Sequence, residues 1–359
     1  MEMEIITGWV AGIKRRVFGD IIFVDLIDGK REEFTVKKHG LIDKLGIGNL
    51  VEITYSERGG EKIVEDIRIL RKPNTYIYDR TDNYGLLFRS LTVRSRFTRT
   101  LQAYLDRKGF VEINIPVITD TSDIRRSFMK LYSCYLEIAL LGFSKVYSFA
   151  NIIDTEKTDN PRYHHVFLNL VGAVAGLGMT ETMDFVENII SDLISNLASF
   201  VDENSFNVDM FRPPFYRISY DEAVDIIRKT NPNFAWGGMI GRNEERVLSS
   251  HFDRSFWVMY LPRKTQPPLH RLKPDNREKT LTSVLLFPLH GKSVCVAEKT
   301  VDIDELTEHI TNDGYNEEEF RCNIELRNKG IPRHTQFVVD IEKFLKLVGI
   351  HFVSIPNTV

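Results

Sequence analysis

The 359-residue sequence contains only three cysteines, Cys134, Cys295 and Cys322, which lie far apart and show no CxxC spacing. This distribution argues against a zinc site and against a disulfide framework. We therefore expect three small, buried apolar side chains and no metal site.

Long apolar runs and an excess of positive charge are missing as well. No stretch reaches the roughly eighteen apolar residues of a membrane-spanning helix, and the start MEMEIITGWV lacks the basic and apolar regions of a signal peptide. These absences predict a cytoplasmic protein without a membrane partner. The formal net charge is −3, so any nucleic acid has to bind through a local surface.

The composition is that of a globular protein, with 43% hydrophobic and 27% charged residues, and the chain is long enough for two domains. Residues 1–70 contain five short β segments separated by glycine turns, with a short helical candidate at Leu41 to Leu45. This pattern fits a five-stranded OB-type β-barrel. A polar linker with Pro73 follows at residues 71–85, and residues 86–359 form a second domain.

The second domain is organised around a long-loop β-hairpin, predicted from Val146 to Leu170. Before it, a helix runs from Leu86 to Gly109, and a strand interrupted by Pro116 runs from Phe110 to Ile118. After it come an amphipathic helix from Thr180 to Ser199, further strands, and a last strand followed by a helix between Gly330 and Gly349.

This order resembles motifs 1, 2 and 3 of the class II aminoacyl-tRNA synthetases, and is most similar to the aspartyl and asparaginyl branch. The resemblance implies an α+β fold, in which a class II antiparallel sheet flanked by helices follows the barrel. It also implies a homodimer with Pro116 at the centre of the interface. In that family the site binds ATP and magnesium and forms an aminoacyl adenylate.

The motif 2 hairpin loop of this chain lacks the arginine that the family has there. The run IDTE places Asp154 where the family has the arginine that binds the α-phosphate and the amino-acid carboxylate. Two like charges at about 4 Å repel by roughly 4 kcal/mol at an effective dielectric of 20, so an anion there is worse than a deletion. Glu156 and Arg162, which in the family hold the adenine amino group and face the γ-phosphate, are kept as a nucleotide-binding remnant.

Motif 3 and the metal position are degenerate too. The run QFVVDIEK puts side chains, at Gln336, Val338 and Asp340, where the family has glycines beneath adenine, and Lys343 replaces an arginine. Lys292, within the run GKSVCVAEK, occupies the position of the family's metal-binding glutamate. The run SCYLEI keeps only Ser133 of the segment that helps select the amino acid.

The barrel resembles the anticodon-binding domain of the aspartyl, asparaginyl and lysyl enzymes, through GWV, the basic run Lys14, Arg15 and Arg16, and IIFVDLIDG. In that family the aromatic residue matching Phe23 stacks on an anticodon base. Glu32 and Glu33 stand where the family usually has a base-reading glutamine. Residues 1–72 contain thirteen basic and thirteen acidic residues, so this domain has no excess of positive charge.

Three functional hypotheses follow from these residues. The first is a pseudo-enzyme, a homodimer that has lost adenylation, needs no cofactor, and binds tRNA, another single-stranded nucleic acid or a protein partner. The second is an ATP-dependent ligase or amidotransfer-type enzyme acting on a small acid, in which Glu156, Arg162 and Lys343, with the nearby His164 and His165, hold a nucleotide, and ATP and magnesium are needed only if this remnant site works. The third is an active aspartyl- or asparaginyl-tRNA synthetase with unusual motifs.

Overall fold

The computed structural model describes residues 3–16, 19–26, 30–72, 80–115, 124–153, 166–198, 208–288 and 291–347. Within these ranges the chain forms two compact units, one made by residues up to 95 and the other by residues 96 onward. No helix in the described ranges is long and apolar enough to cross a membrane.

The first unit contains a closed five-stranded barrel, as the sequence predicts. Alternating apolar residues of each strand, among them Val24, Phe34 and Ile53, point into its core. A 3₁₀ turn at His39–Leu41 replaces the longer helical candidate. In the order β1-β2-β3-β5-β4, the strands are β1 (Glu4–Lys14), β2 (Asp20–Leu26), β3 (Arg31–Val36), β4 (Leu50–Arg58) and β5 (Glu61–Arg71).

The second unit is built on a large sheet of eight strands in the order β6-β7-β8-β15-β14-β13-β10-β9, beside a two-stranded sheet of β11 and β12. Most neighbours are antiparallel, but β6 and β9 run parallel to β7 and β10. The strands are β6 (Val111–Glu112), β7 (Lys145–Ile153), β8 (Val166–Ala175), β9 (Tyr216–Ser219), β10 (Phe256–Met259), β11 (Leu272–Lys273), β12 (Asn276–Thr280), β13 (Thr282–Phe287), β14 (Gly291–Glu298) and β15 (His334–Asp340).

Eight α-helices are found in the described ranges. The first begins six residues before the predicted start and continues through Gly85, because a single glycine costs a long helix only about 1 kcal/mol. The helices are α1 (Arg80–Arg107), α2 (Ile124–Ala139), α3 (Met179–Ala198), α4 (Tyr220–Arg228), α5 (Arg242–Ser249), α6 (Ile303–Asn312), α7 (Arg321–Asn328) and α8 (Ile341–Leu347).

Helices cover both faces of the large sheet. On the face named here the α2 face, Leu136 of α2 packs with Val171 of β8, and Val338 of β15 lies against the same apolar cluster. On the opposite, α3 face, Phe337 of β15 packs against Phe185 of α3, with ring centroids 6.0 Å apart. Strand β15 is therefore packed on both faces, and five of its seven residues are buried although only Phe337, Val338 and Val339 are apolar.

The predicted hairpin is confirmed, with β7 and β8 antiparallel from Lys145 opposite Val174 to Ile153 opposite Val166. Of the predicted strand from Phe110 to Ile118, the described part pairs as a strand only at Val111–Glu112. Pro116 lies outside the described residues.

The cysteine prediction was wrong for two of the three residues. Cys134 of α2 and Cys322 of α7 form a disulfide, with Cα atoms 6.6 Å apart, and only Cys295 is a free thiol. The two residues are 188 positions apart, and spacing along the chain says nothing about which distant helices the fold brings together.

Candidate functional site

The predicted nucleotide-binding remnant lies mostly outside the described residues. Asp154, Glu156 and Arg162 all fall within the segment that links β7 to β8. Ser133, Gln336, Lys292 and Lys343 do lie in the described ranges.

Gln336 of β15 is buried and paired with the helix that covers it. Its Oε1 accepts a hydrogen bond from Ser133 Oγ at 3.0 Å, and its Nε2 donates to the Ser133 carbonyl oxygen at 3.3 Å. Because side chains alternate along a strand, Gln336, Val338 and Asp340 share the α2 face. Gln336 thus links β15 directly to α2, and Val338 packs beneath the same helix.

Lys343, at the motif 3 arginine position, binds within the protein. Its Nζ donates to the backbone oxygen of Lys292, and its backbone N–H donates to Asp340 Oδ1 at 3.1 Å. The Lys343 side chain is therefore bound to the β14 backbone at Lys292, so the two lysines at degenerate positions contact each other.

The described residues do not fit a magnesium ion at the metal position. Lys292 supplies a cation where a carboxylate ligand is needed, and magnesium prefers oxygen ligands. No group of three or more His, Cys, Asp or Glu side chains capable of holding a metal occurs in the described ranges.

A buried ionic cluster joins α2 to α7 and β15. The Glu137 carboxylate accepts hydrogen bonds from Arg327 Nη1 and Nη2 at 2.8 and 3.0 Å and from Asn323 Nδ2 at 2.7 Å. His334 Nε2 of β15 lies 3.4 Å from Glu137 Oε1. Burial alone would raise the pKa of Glu137, but the Arg327 charge, the hydrogen bonds from Arg327 and the nearby His334 hold it far below its usual range. Glu137 is therefore ionised.

Beside this cluster lies Lys299, which the sequence reasoning did not single out. Its side chain is fully buried, and burial lowers its pKa to about 8, although the Glu137 carboxylate opposes the shift. His270, which pairs with Lys299 across a β-bridge, is also buried. Burial and the neighbouring Lys299 and Lys292 charges keep the pKa of His270 well below its usual range. Lys299 and His270 therefore form a buried polar pair beside the Glu137 cluster.

The signal for Lys299 was present in the sequence, as the last position of GKSVCVAEK, where the family run ends in arginine. His270 Nδ1 lies 2.9 Å from Thr282 Oγ1, a contact between two residues of unremarkable local sequence. Only the fold brings them beside Lys299.

On the barrel, Phe23 occupies the outer surface of β2, half-buried between neighbouring strands. It pairs in register with Gly12 of β1 and Glu33 of β3. A Cβ atom at Gly12 would lie 3.3 Å from Phe23 Cδ2, so the absence of a side chain there lets the ring lie close to β1. Glu33 is exposed beside it.

An exposed aromatic residue, Trp9, lies near the half-buried Phe23 and was not predicted as a binding residue. It is 43% exposed on β1, opposite Asp25 of β2, which is two residues from Phe23 and so on the same surface. Arg31 binds Asp25 through two hydrogen bonds of 2.7 and 3.1 Å. The described barrel surface therefore offers two rings with an ion pair beside them.

The basic run at the end of β1 is exposed but partly neutralised. Arg15 Nη1 lies 3.3 Å from Asp43 Oδ1 and 3.7 Å from Asp20 Oδ2. Lys14 and Arg16 are exposed at the same strand end. Because Arg15 is paired with acidic residues, this strand end carries little net positive charge. The rings of Phe23 and Trp9 are therefore stronger evidence for a binding surface than the basic run.

Comparison with known proteins gives one family and one fold. A model of the family described as tRNA synthetases class II (D, K and N) matches residues 74–349. The chain is 29% identical over 225 residues to an asparagine–tRNA ligase of Pyrococcus horikoshii, covering 60% of this chain and 51% of that protein. It is 25% identical over 355 residues to the asparagine–tRNA ligase of Pyrococcus abyssi, covering 88% and 81%. The match to the first relative thus spans about half of its length.

Among solved structures, asparaginyl-tRNA synthetase from Pyrococcus horikoshii complexed with asparaginyl-adenylate aligns with a TM-score of 0.83. The alignment covers 97% of this chain and 92% of that one, at 21% sequence identity. At this identity the likeness shows a shared fold, and it confirms the predicted combination of barrel and sheet.

Proposed function

Because the chain belongs to the class II tRNA synthetases of the D, K and N group, we propose that it keeps their nucleic-acid binding and lacks aminoacyl adenylation. In this proposal it is a pseudo-enzyme that binds tRNA or another single-stranded nucleic acid through the barrel. The observation that carries the proposal is the occupied α2 face, where Gln336 binds Ser133 and Val338 packs beneath α2.

Adenylation needs cations and a metal where negative charge develops on the α-phosphate. In this chain Asp154 stands at the arginine position of motif 2, and Lys292 stands at the metal position. Lys343 already donates to the Lys292 carbonyl oxygen, so its ammonium would have to break that contact to reach a γ-phosphate. Each change opposes the same reaction, which supports the loss of adenylation.

Binding of single-stranded nucleic acid is supported by the aromatic surface of the barrel. Phe23 and the exposed Trp9 lie on neighbouring strands, and each base stacked on such a ring contributes roughly 1–3 kcal/mol without requiring a particular sequence. Lys14 and Arg16 are exposed nearby for phosphate contacts.

Calorimetric titration with ATP and magnesium, with and without aspartate or asparagine, tests the first half of the proposal. We expect no saturable heat and no aminoacylation of tRNA. ATP-dependent charging of tRNA with either amino acid would overturn it.

Fluorescence anisotropy with labelled tRNA and single-stranded RNA tests the second half. Phe23→Ala should weaken binding by about 5- to 150-fold, the equivalent of one lost base stack. Phe143→Ala removes a 49% exposed aromatic residue from the second unit and serves as the control. Equal affinity of both variants and the unchanged protein would contradict binding at Phe23.

A second candidate function is an ATP-dependent ligase or amidotransfer reaction on a small acid, and Lys299 favours it. A buried ammonium beside the neutral His270 would attract a carboxylate, with Glu156, Arg162 and Lys343 left to hold the nucleotide. The same ATP titration separates the two, because saturable ATP binding without tRNA charging would favour this function.

We also infer a cytoplasmic homodimer, with motif 1 and Pro116 at its interface, as the family resemblance implies. A protein partner at the face of the former active site is a further proposal. Light scattering of the purified chain tests the dimer, and a monomer at micromolar concentration would contradict it.

A further inference from the structure

The disulfide between Cys134 and Cys322 joins two helices that lie far apart in the sequence. Cys134 is buried in α2 at 9% exposure, packed with Leu326 and Ile331, whereas Cys322 of α7 lies half-buried at the edge of this cluster. Cys322 is therefore the more exposed residue of the pair. A thiol that approaches from solution meets Cys322 first.

The same two helices are held together by a second, independent set of contacts. Glu137 lies one turn after Cys134 on α2, and it binds Asn323 and Arg327 of α7. Arg327 also donates to the Thr300 carbonyl oxygen through Nε and Nη2 at 3.0 and 2.8 Å. Because this buried cluster is hydrogen-bonded without help from the cysteines, the disulfide can open while the helices stay docked.

The position of the disulfide connects it to the α2 face. Ser133, next to Cys134, binds Gln336 of β15, and Leu136 packs on the sheet. Helix α2 covers the sheet face that carries Gln336 and Val338. A bond that holds α2 to α7 therefore also helps to hold α2 on that face. With the disulfide open, only noncovalent contacts would hold α2 to α7 and to the sheet.

We propose that Cys134 and Cys322 form a reversible redox pair, in which Cys322 is the sulfur that exchanges with small-molecule thiols such as glutathione. A glutathione thiolate attacks Cys322 Sγ, the bond to Cys134 breaks, and Cys134 leaves as a thiolate that takes a proton from water. A second glutathione thiolate attacks the glutathione sulfur of the mixed disulfide and releases Cys322. The protein gains two electrons, and two glutathione molecules leave as oxidised glutathione.

This redox pair does not depend on nucleic-acid or nucleotide binding, so it goes beyond the proposed function. In the reduced protein, α2 is held on the sheet only by the Glu137 cluster and its apolar contacts. We expect faster amide hydrogen exchange across residues 124–139 than in the oxidised protein, because a covalent constraint on local opening is gone.

The first test counts thiols in the full-length protein equilibrated with reduced or oxidised glutathione, then alkylated in denaturant and analysed by mass spectrometry. We expect Cys134 and Cys322 to be alkylated after excess reduced glutathione and to remain bridged to each other after excess oxidised glutathione, whatever the state of Cys295. Cys295→Ser, the control, should leave the redox midpoint unchanged. Three free thiols in both buffers, or a bridge that survives excess reduced glutathione in the folded protein, would overturn the proposal.

The second test uses the accessibility difference between the two sulfurs. In Cys134→Ser, treated with oxidised glutathione, Cys322 should acquire one glutathione, whereas in Cys322→Ser the buried Cys134 should acquire it several-fold more slowly. Circular dichroism of both variants and of the reduced protein should match that of the oxidised protein. Equal rates at the two cysteines, or unfolding on reduction, would show a structural disulfide without the exchange role given to Cys322.

Discussion

At the scale of single residues, the buried guanidinium of Arg327 should matter far more than a surface guanidinium of the same helix. Arg327→Met leaves the Glu137 carboxylate buried without its main cation, and such truncations cost roughly 3–5 kcal/mol. Arg321 is the matched control, because its side chain is 67% exposed with Glu318 and Glu325 as partners. Its replacement by Met should cost at most about 1 kcal/mol. Urea unfolding measures both, and similar losses would contradict the role given to the buried pair.

Lys299 should make stability depend on pH. Its pKa is about 8 in the folded protein, against a usual value of 10.5, so the charged form is disfavoured by folding. Between these two values the unfolded chain binds more protons than the folded protein, and stability should rise with pH by roughly 3 kcal/mol in total. Below pH 8 the full cost of burying the charge is present.

Lys299→Met removes this titration, so the rise in stability between pH 8 and 10.5 should disappear. Lys329→Met, at an exposed position after α7, should keep it. Urea unfolding at several pH values in this range measures both variants. A rise that is the same in Lys299→Met and in the unchanged protein would assign it to other groups.

At the scale of strands and helices, the pairing of β8 with β15 depends on a glycine. Gly172 lies directly opposite Phe337, and a Cβ atom there would approach the Phe337 ring to 2.3 Å. The ring packs against Phe110 and Phe185, so it has little room to move. Gly172→Ala should destabilise the protein by about 1–3 kcal/mol through overpacking.

Gly142→Ala is the control for this prediction, because the closest atom to its added Cβ is the Ala139 carbonyl oxygen at 4.0 Å. Thermal unfolding compares the two, and Gly142→Ala should change stability by less than about 1 kcal/mol. If Gly172→Ala were equally mild, the Phe337 ring would have to find another position at little cost.

Elements with a strong local pattern were predictable from the sequence. The alternating residues of the barrel strands, the hairpin of β7 and β8, and the 3.6-residue period of α3 each reflect a face that must be buried, and burial imposes that period wherever the element lies. The extent of β6 was not predictable, because a strand of two residues is defined by its pairing with β7 and carries no pattern of its own.

In the candidate site, individual residues were predictable from the sequence, but their contact partners were not. Gln336 could be recognised as a side chain in place of a glycine, but its partner Ser133 is 203 residues away. The same holds for the Cys134 to Cys322 disulfide and for the contact of Lys299 with His270. Such pairs depend on which helices and strands the whole fold brings together, and neither residue has a local pattern that identifies the other.

At the scale of the whole molecule, charge limits how the chain can hold nucleic acid. The net charge is −3, and acidic and basic residues balance across residues 1–72, so broad electrostatic attraction is absent. If Lys14, Arg15 and Arg16 supply the phosphate contacts, the logarithm of the binding constant should fall with the logarithm of salt concentration with a slope of about −2.

Lys14→Met should make this slope shallower by about 0.7, the contribution of one contact to a single strand. Phe23→Ala should lower affinity at every salt concentration and leave the slope unchanged, because a stacked ring releases no counterions. Lys329→Met, an exposed lysine of the second unit, should change neither. Anisotropy titrations of labelled single-stranded RNA across a salt series measure all three. A slope steeper than about −4 would require more cations than this strand end holds, and would place the nucleic-acid surface elsewhere on the chain.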